Sequence, residues 1–132
     1  MRQIVLLCAL LAALFARAET PQAGAQAIHA LILAENYVEL FTTRYSEWYK
    51  VEQQGMDPDR AIAQLTRGYQ AQRELLLSVY AQLSEAQFAL SQSAHPQTSE
   101  NGSIATATVQ LGDRHIPIKL YQMQNGLWGF HQ

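Results

Sequence analysis

The stretch Asn101–Gln132, NGSIATATVQLGDRHIPIKLYQMQNGLWGFHQ, decides the fold. Ala105, Ala107, Val109 and Leu111 alternate with Thr106, Thr108 and Gln110. After a turn at Gly112-Asp113, Ile116, Ile118 and Leu120 alternate with His115, Pro117, Lys119 and Tyr121. A period of two with turn residues between the runs is the pattern of a short antiparallel meander with one buried face. Pro117 has no amide proton, so one side of that position makes no ladder bond. The second turn, Gln124-Asn125-Gly126, sets where the largest residues go. A two-residue Asn-Gly loop puts Trp128 and Phe130 on the face of Tyr121 and Met123. A three-residue loop with Gly126 in a left-handed bulge puts them with Ile118, Leu120 and Ala107, because one residue of register flips every side chain. Burying a large apolar side chain stabilises by about 1.5–3 kcal/mol, which favours the three-residue loop. The other register would expose an aromatic patch and with it a partner surface.

Upstream, the sequence reads as helix built to cover that face. Ala25 to Gln54 contains no Gly or Pro, and Ile28, Leu31, Ile32, Val38, Phe41, Tyr45, Trp48 and Tyr49 recur at helical spacing, with Leu33, Tyr37 and Leu40 widening the stripe. Arg44, Ser46, Glu47 and Lys50 fall mostly outside it. Thr42-Thr43 is the weakest point for helix and the expected site of a bend. Gly55 suits a helix C′ position and Asp57-Pro58 an N-cap followed by Pro at N1, so Gln54–Asp57 is a tight connection. A second helix runs from Pro58 to Leu83, with Ile62, Leu65, Tyr69, Leu76, Val79, Tyr80 and Leu83 inward. Gly68 inside it marks close packing or a kink. Ser84–Ser93 fits either a capping box or a first strand at Gln87–Ser91, and the loop that follows favours the strand. The expectation is α+β: two long antiparallel helices (a hairpin over 25–83) packed on a three- to four-stranded antiparallel meander (87–131), in a single domain over 19–132.

Composition sets the compartment. Met1-Arg2, the apolar run Ile4–Phe15 and the small-x-small Ala16-Arg17-Ala18 read as a signal peptide over 1–18, cleaved at Ala18/Glu19. The run is shorter than the roughly 18–20 residues of a membrane span, so no integral membrane segment is expected after cleavage. The protein is expected in the periplasm or secreted, with 19–24 as a flexible leader. Cys8 is the only cysteine and leaves with the signal, so no disulfide supports the fold. Without Arg2 and Arg17, Lys+Arg falls from 9 to 7 against 11 Asp+Glu, and net charge goes from -2 to -4. That balance, with no basic cluster, argues against nucleic acid or anionic lipid as the partner.

The chemistry is sparse. His29, His95, His115 and His131 are not at metal-ligand spacing, and no metal or cofactor is expected. His115 and His131 could approach on the outer sheet face. Serine-nucleophile motifs, phosphate-binding glycine loops and dinucleotide fingerprints are absent. Glu35 and Glu39 lie one helical turn apart, and Arg44 is placed to neutralise Glu39 in part. Glu35 falls where the stripe calls for an apolar residue, which makes it the candidate pocket acid. The aromatic ladder Tyr37, Phe41, Tyr45, Trp48 and Tyr49 reads first as core, and alternatively as the wall of an apolar cavity or a platform for a glycan.

With the sheet laid out, Gly102-Ser103-Ile104-Ala105-Thr106-Ala107-Thr108-Val109 and the turn Asn125-Gly126-Leu127-Trp128 resemble small exported members of the nuclear transport factor two-like superfamily, with its cystatin-like α+β fold. The resemblance covers about a quarter of the mature chain. It implies a curved sheet wrapped around helices, a cone able to hold a small ligand, and homodimerisation through the sheet. The isomerases and dehydratases of that superfamily carry catalytic residues with no match here. The functional expectation is an exported, non-enzymatic binding protein holding a small apolar ligand between helices and sheet, through Glu35, Tyr37, Phe41, Tyr45, Trp48 and Trp128. Two alternatives stay open: an inhibitor- or immunity-type protein that binds a protein partner without a pocket, and an isomerase- or dehydratase-like enzyme with Glu35 as base. The enzyme would require that carboxylate in a closed apolar cavity.

Overall fold

The computed structural model describes residues 19–92 and 103–131. The expected signal segment over 1–18 and the expected loop over 95–102 lie outside the described residues. Among the described residues five helices precede a four-stranded antiparallel sheet: α1 Pro21–Leu33, α2 Tyr37–Arg44, α3 Trp48–Gln53, α4 Pro58–Ala71, α5 Arg73–Leu83, then β1 Ala89–Gln92, β2 Ser103–Leu111, β3 Arg114–Gln122 and β4 Trp128–Gly129. The sheet order is β1-β2-β3-β4, a meander. α1 packs on α5, α2 and α3 pack on α4, and α5 and α1 cover β2 and β4. Among the described residues no helix is long and apolar enough to cross a membrane.

The α+β class and the antiparallel sheet are as expected, but the two long helices are not. The first is cut twice. After Leu33 the amide of Asn36 donates to the carbonyl of Leu31 and that of Glu35 to Ile32, with Glu35 at φ 56°. This is a Schellman ending with Glu35 in the position that usually holds glycine. Asn36 then caps α2: its carboxamide oxygen accepts from the Glu39 amide at 3.4 Å and its nitrogen donates to the Glu39 carboxylate at 2.9 Å. The Asn36 and Glu39 side chains thus hold the first turn of α2 together, with Asn36 as its N-cap. The turn rotates α2 out of phase with α1, so Leu33 and Val38, expected inward, are 56% and 59% exposed. A left-handed non-glycine residue costs about 1–2 kcal/mol. Glu35→Gly is therefore expected to raise stability by about 1 kcal/mol in urea unfolding, with no loss of function.

The second cut comes at Tyr45, whose extended backbone (φ -83°, ψ 115°) ends α2 just beyond the expected bend at Thr42-Thr43. Both threonine hydroxyls donate back to carbonyls of the preceding turn, Thr42 to Val38 and Thr43 to Glu39, which loosens the ladder there. The Pro58–Leu83 segment breaks at Gln72, not at Gly68. Gly68 has open space around it, so neither close packing nor a kink accounts for it. The Gln54–Asp57 connection forms as read, with Gly55 at φ 63° and the Asp57 carboxylate accepting from the Asp59 amide at 3.1 Å.

Pro21 to Gly24, within the expected leader, form the start of α1. Thr20 caps α1, accepting from the Ala23 amide at 3.1 Å, and Pro21 sits in its first turn. Two residues expected to be solvated, Arg44 and Ser46, are buried.

The β3–β4 turn settles the register. Gly126 (φ 82°) donates to the Met123 carbonyl, and Met123 donates to the Leu127 carbonyl, a three-residue loop with a left-handed glycine. Gln122 pairs with Trp128, so Trp128 and Phe130 share the inner face with Leu120, and all three are buried. Thr108, Gln110, His115, Pro117 and Lys119 are exposed. Phe41, Ile28, Ile32, Leu40, Leu83, Leu120 and Val109 are the largest fully buried side chains and fill the space between helices and sheet.

Two buried phenols give the fold an alkaline limit. Burial first, and for Tyr69 the neighbouring Tyr80 and Tyr45 as well, pushes Tyr69 and Tyr80 far above the ordinary tyrosine range. Above the unfolded value of about 10, the unfolded chain releases protons that the folded chain retains. Their contribution is fully present below about pH 10. It falls by about 1.4 kcal/mol per pH unit per tyrosine above it. Thermal melts between pH 9 and 11 should show that decline setting in near pH 10.

Candidate functional site

The second cut in the helical region builds a groove. Phe130 donates its amide to the Arg44 carbonyl and accepts from the Ser46 amide, both at 2.9 Å, so Tyr45 pairs with the chain just after β4 as one bridge of parallel sheet. Beneath it, one Arg44 guanidinium nitrogen donates to the Glu19 carboxylate at 2.7 Å and to the Trp128 carbonyl at 3.1 Å. The same Glu19 oxygen accepts from the Trp128 amide at 2.8 Å. The indole nitrogen of Trp128 donates to the Glu19 carbonyl at 2.9 Å. Glu19 and Arg44 thus satisfy the outer backbone groups of β4 as a neighbouring strand would.

Held in this way, Tyr45-Ser46-Glu47 launches α3 away from α2. The notch between them, closed on its third side by the β3–β4 turn, is an open groove of about 490 Å³. Ser46, Trp48 and Tyr49 lie along it, with Glu52 and Gln53 from α3 and Asn125 from the turn at its edges. Its volume is in the range of small-ligand sites. No lysine, arginine or histidine lines it.

Three features distinguish this groove. Ser46 is 6% exposed, and its hydroxyl oxygen is buried without a hydrogen-bond partner. An unsatisfied buried polar group costs about 1–3 kcal/mol, a penalty removed when a bound molecule supplies the missing partner. Tyr49 is half-buried and packs on no other ring among the described residues. Glu52, Gln53 and Gln124 are exposed, and their side chains have no polar partner among the described residues.

On the other side of Tyr45 the chemistry is self-contained. The Glu47 carboxylate accepts from the Tyr45 hydroxyl at 3.3 Å and from Lys50 at 3.1 Å, and lies 3.2 Å from His131 Nδ1. Burial first, then Glu47, raises the Tyr45 phenol above its ordinary value. A second open groove of about 380 Å³ starts here and runs over Val51, Ala61 and Leu65. His131 sets its ring edge-on to Tyr121 at 6.0 Å. Tyr121 lies six residues along β3 from His115, or about 20 Å at strand rise, so the two histidines do not share a site.

The six residues expected to converge on a ligand do not. Tyr45 and Trp48 line the groove. Phe41 is wholly buried, at ring-centroid distances of 6.0 Å from Tyr37, 4.9 Å from Tyr69 and 6.4 Å from Phe130. Tyr37 and Trp128 are likewise core, 6% and 3% exposed. The Glu35 side chain is 58% exposed, 3.8 Å from Arg73, so the enclosed carboxylate that an enzyme of this kind would need is absent at that position. Glu39 pairs with Asn36, not with Arg44. One continuous helix would have lined these aromatics up; the turns at Glu35 and Tyr45 disperse them. Ser46, Gln53 and Asn125 were not legible as site residues, because their value comes from the break at Tyr45. The only sequence signal for that break was Thr42-Thr43. Among the described residues no group of three or more His, Cys, Asp or Glu side chains could hold a metal. No family model, curated protein or solved structure matches the chain.

Proposed function

We propose that the protein is an exported, non-enzymatic binding protein whose small ligand sits in the groove between α2, α3 and the β3–β4 turn, and not between helices and sheet. The orphaned Ser46 hydroxyl carries this reading: a buried donor and acceptor left unpaired beside a groove is suited to a partner from outside the chain. Tyr45, Trp48 and Tyr49 supply apolar surface beside it. Export is supported by the charged start, apolar run and small-x-small site over 1–18. Kinship with the nuclear transport factor two-like superfamily is part of the proposal. Helices packed against an antiparallel meander suit it.

The competing interaction-protein reading rests on β1, an edge strand with all four residues exposed, Leu90 at 64%. Native mass spectrometry of the mature chain, purified gently from its source cells, separates the two. The groove reading predicts a small-molecule adduct that Tyr49→Ala abolishes. A bare monomer, or a stoichiometric complex with another protein that Leu90→Ser disrupts, would contradict it.

A further inference from the structure

The groove's lining narrows the chemistry of what it takes. An anionic ligand would find no lysine, arginine or histidine there. A simple cation would engage Glu52 and leave the Ser46 hydroxyl and the amides of Gln53, Gln124 and Asn125 unused. A wholly apolar ligand would strand all of these polar groups and the carboxylate besides. What suits one buried hydroxyl, three amide side chains, one rim carboxylate and a tyrosine ring with no ring partner is an uncharged molecule with many hydroxyls around an apolar face. We infer that the groove binds a neutral carbohydrate, stacking the C–H face of a sugar ring on Tyr49 and hydrogen-bonding its hydroxyls to Ser46, Gln53 and Asn125.

The physical basis is the pairing of two surfaces. The negative face of an aromatic ring attracts the weakly positive C–H groups of a pyranose, and the stack removes apolar area from water on both sides. Amides at the rim can both donate to and accept from the hydroxyls that circle the ring, and the carboxylate accepts from them. Asn125 is fixed for this: its side-chain oxygen accepts from the Leu127 amide at 2.9 Å, and its nitrogen approaches the Thr43 carbonyl at 3.5 Å. It therefore stands at the groove edge in one orientation.

This inference rests on the proposed groove being the ligand site, and the test keeps the two apart. The mature protein is titrated calorimetrically with neutral di- and trisaccharides of glucose, galactose, mannose and N-acetylglucosamine, beside Ser46→Ala, Tyr49→Ala and the distant control Leu90→Ser. The expected result is saturable binding of at least one saccharide, weakened about tenfold or more by Ser46→Ala and by Tyr49→Ala. Leu90→Ser should leave it unchanged. Because the ligand is uncharged, affinity should stay nearly constant as salt rises, where an ion-pairing ligand would weaken. Both groove variants are checked for an unaltered fold by circular dichroism. Tyr49 is only half-buried and Ser46→Ala removes one oxygen, so neither is expected to unfold the chain. Saccharide binding indifferent to both groove variants would overturn the inference. No saccharide binding, with a charged or lipidic adduct lost in Tyr49→Ala, would overturn the carbohydrate and keep the groove. No binding and no adduct would overturn both.

Discussion

Arg44→Ala should cost about 3–5 kcal/mol, a large part of the roughly 5–15 kcal/mol that holds a domain together. The guanidinium and the Glu19 carboxylate are 10% and 15% exposed and only 2.7 Å apart. Removing the cation leaves a carboxylate poorly hydrated and a Trp128 carbonyl without its donor. Arg44→Lys should recover part of this, because a single guanidinium nitrogen makes both bonds and an ammonium can also donate to two acceptors. The double replacement Glu19→Met with Arg44→Met should lose much less than either single change, since an apolar pair avoids burying an unpaired charge. Urea unfolding of the five variants would show this ordering. If Arg44→Ala costs under about 1 kcal/mol, the pair is behaving as a surface ion pair and the account of β4 is wrong.

Gly129→Ala should be nearly as damaging, at about 3 kcal/mol, for a steric reason. A methyl group there would run into the Arg44 carbonyl oxygen and would lie 2.6 Å from Met123 Sδ and Cε. The methionine can swing aside. The carbonyl cannot, because it is the acceptor for the Phe130 amide in the bridge that holds Tyr45. The strain should therefore reach the groove, so that Gly129→Ala weakens ligand binding as well as stability. Gly68→Ala is the contrast: nothing lies within 4 Å of the added atom, and the change should stabilise its helix by about 1 kcal/mol.

The sheet was legible in the sequence and the helical path was not, for a physical reason. In strands the period of two and the turn residues are both local, and Trp128 and Phe130 could be placed by asking which register buries them. The helical breaks are made partly by tertiary partners. Tyr45 is extended because Phe130, 85 positions further along, takes the bonds on either side of it. No pattern within Ala25–Gln54 records that. Glu35 was misread because a helix can end without glycine, although Asn36 and Glu39 carried a local signal for the restart. Arg44 shows the limit of stripe reasoning, since a charged residue can face inward when its partner, Glu19, belongs to a segment read as a loose leader. The candidate site inherits these failures: Tyr45 and Trp48, expected to touch a ligand, line the groove, while Ser46 between them was placed outside the apolar stripe.

Thermal unfolding of Ser46→Ala without any ligand is the most direct test of the central claim, that this hydroxyl is kept for a bound molecule and not for the fold. Removing an unsatisfied buried hydroxyl relieves a penalty of about 1–3 kcal/mol, so the variant should melt several degrees above the wild type. A variant that melts below the wild type would mean that Ser46 is already bonded within the folded chain, and the groove would lose the observation on which its function rests.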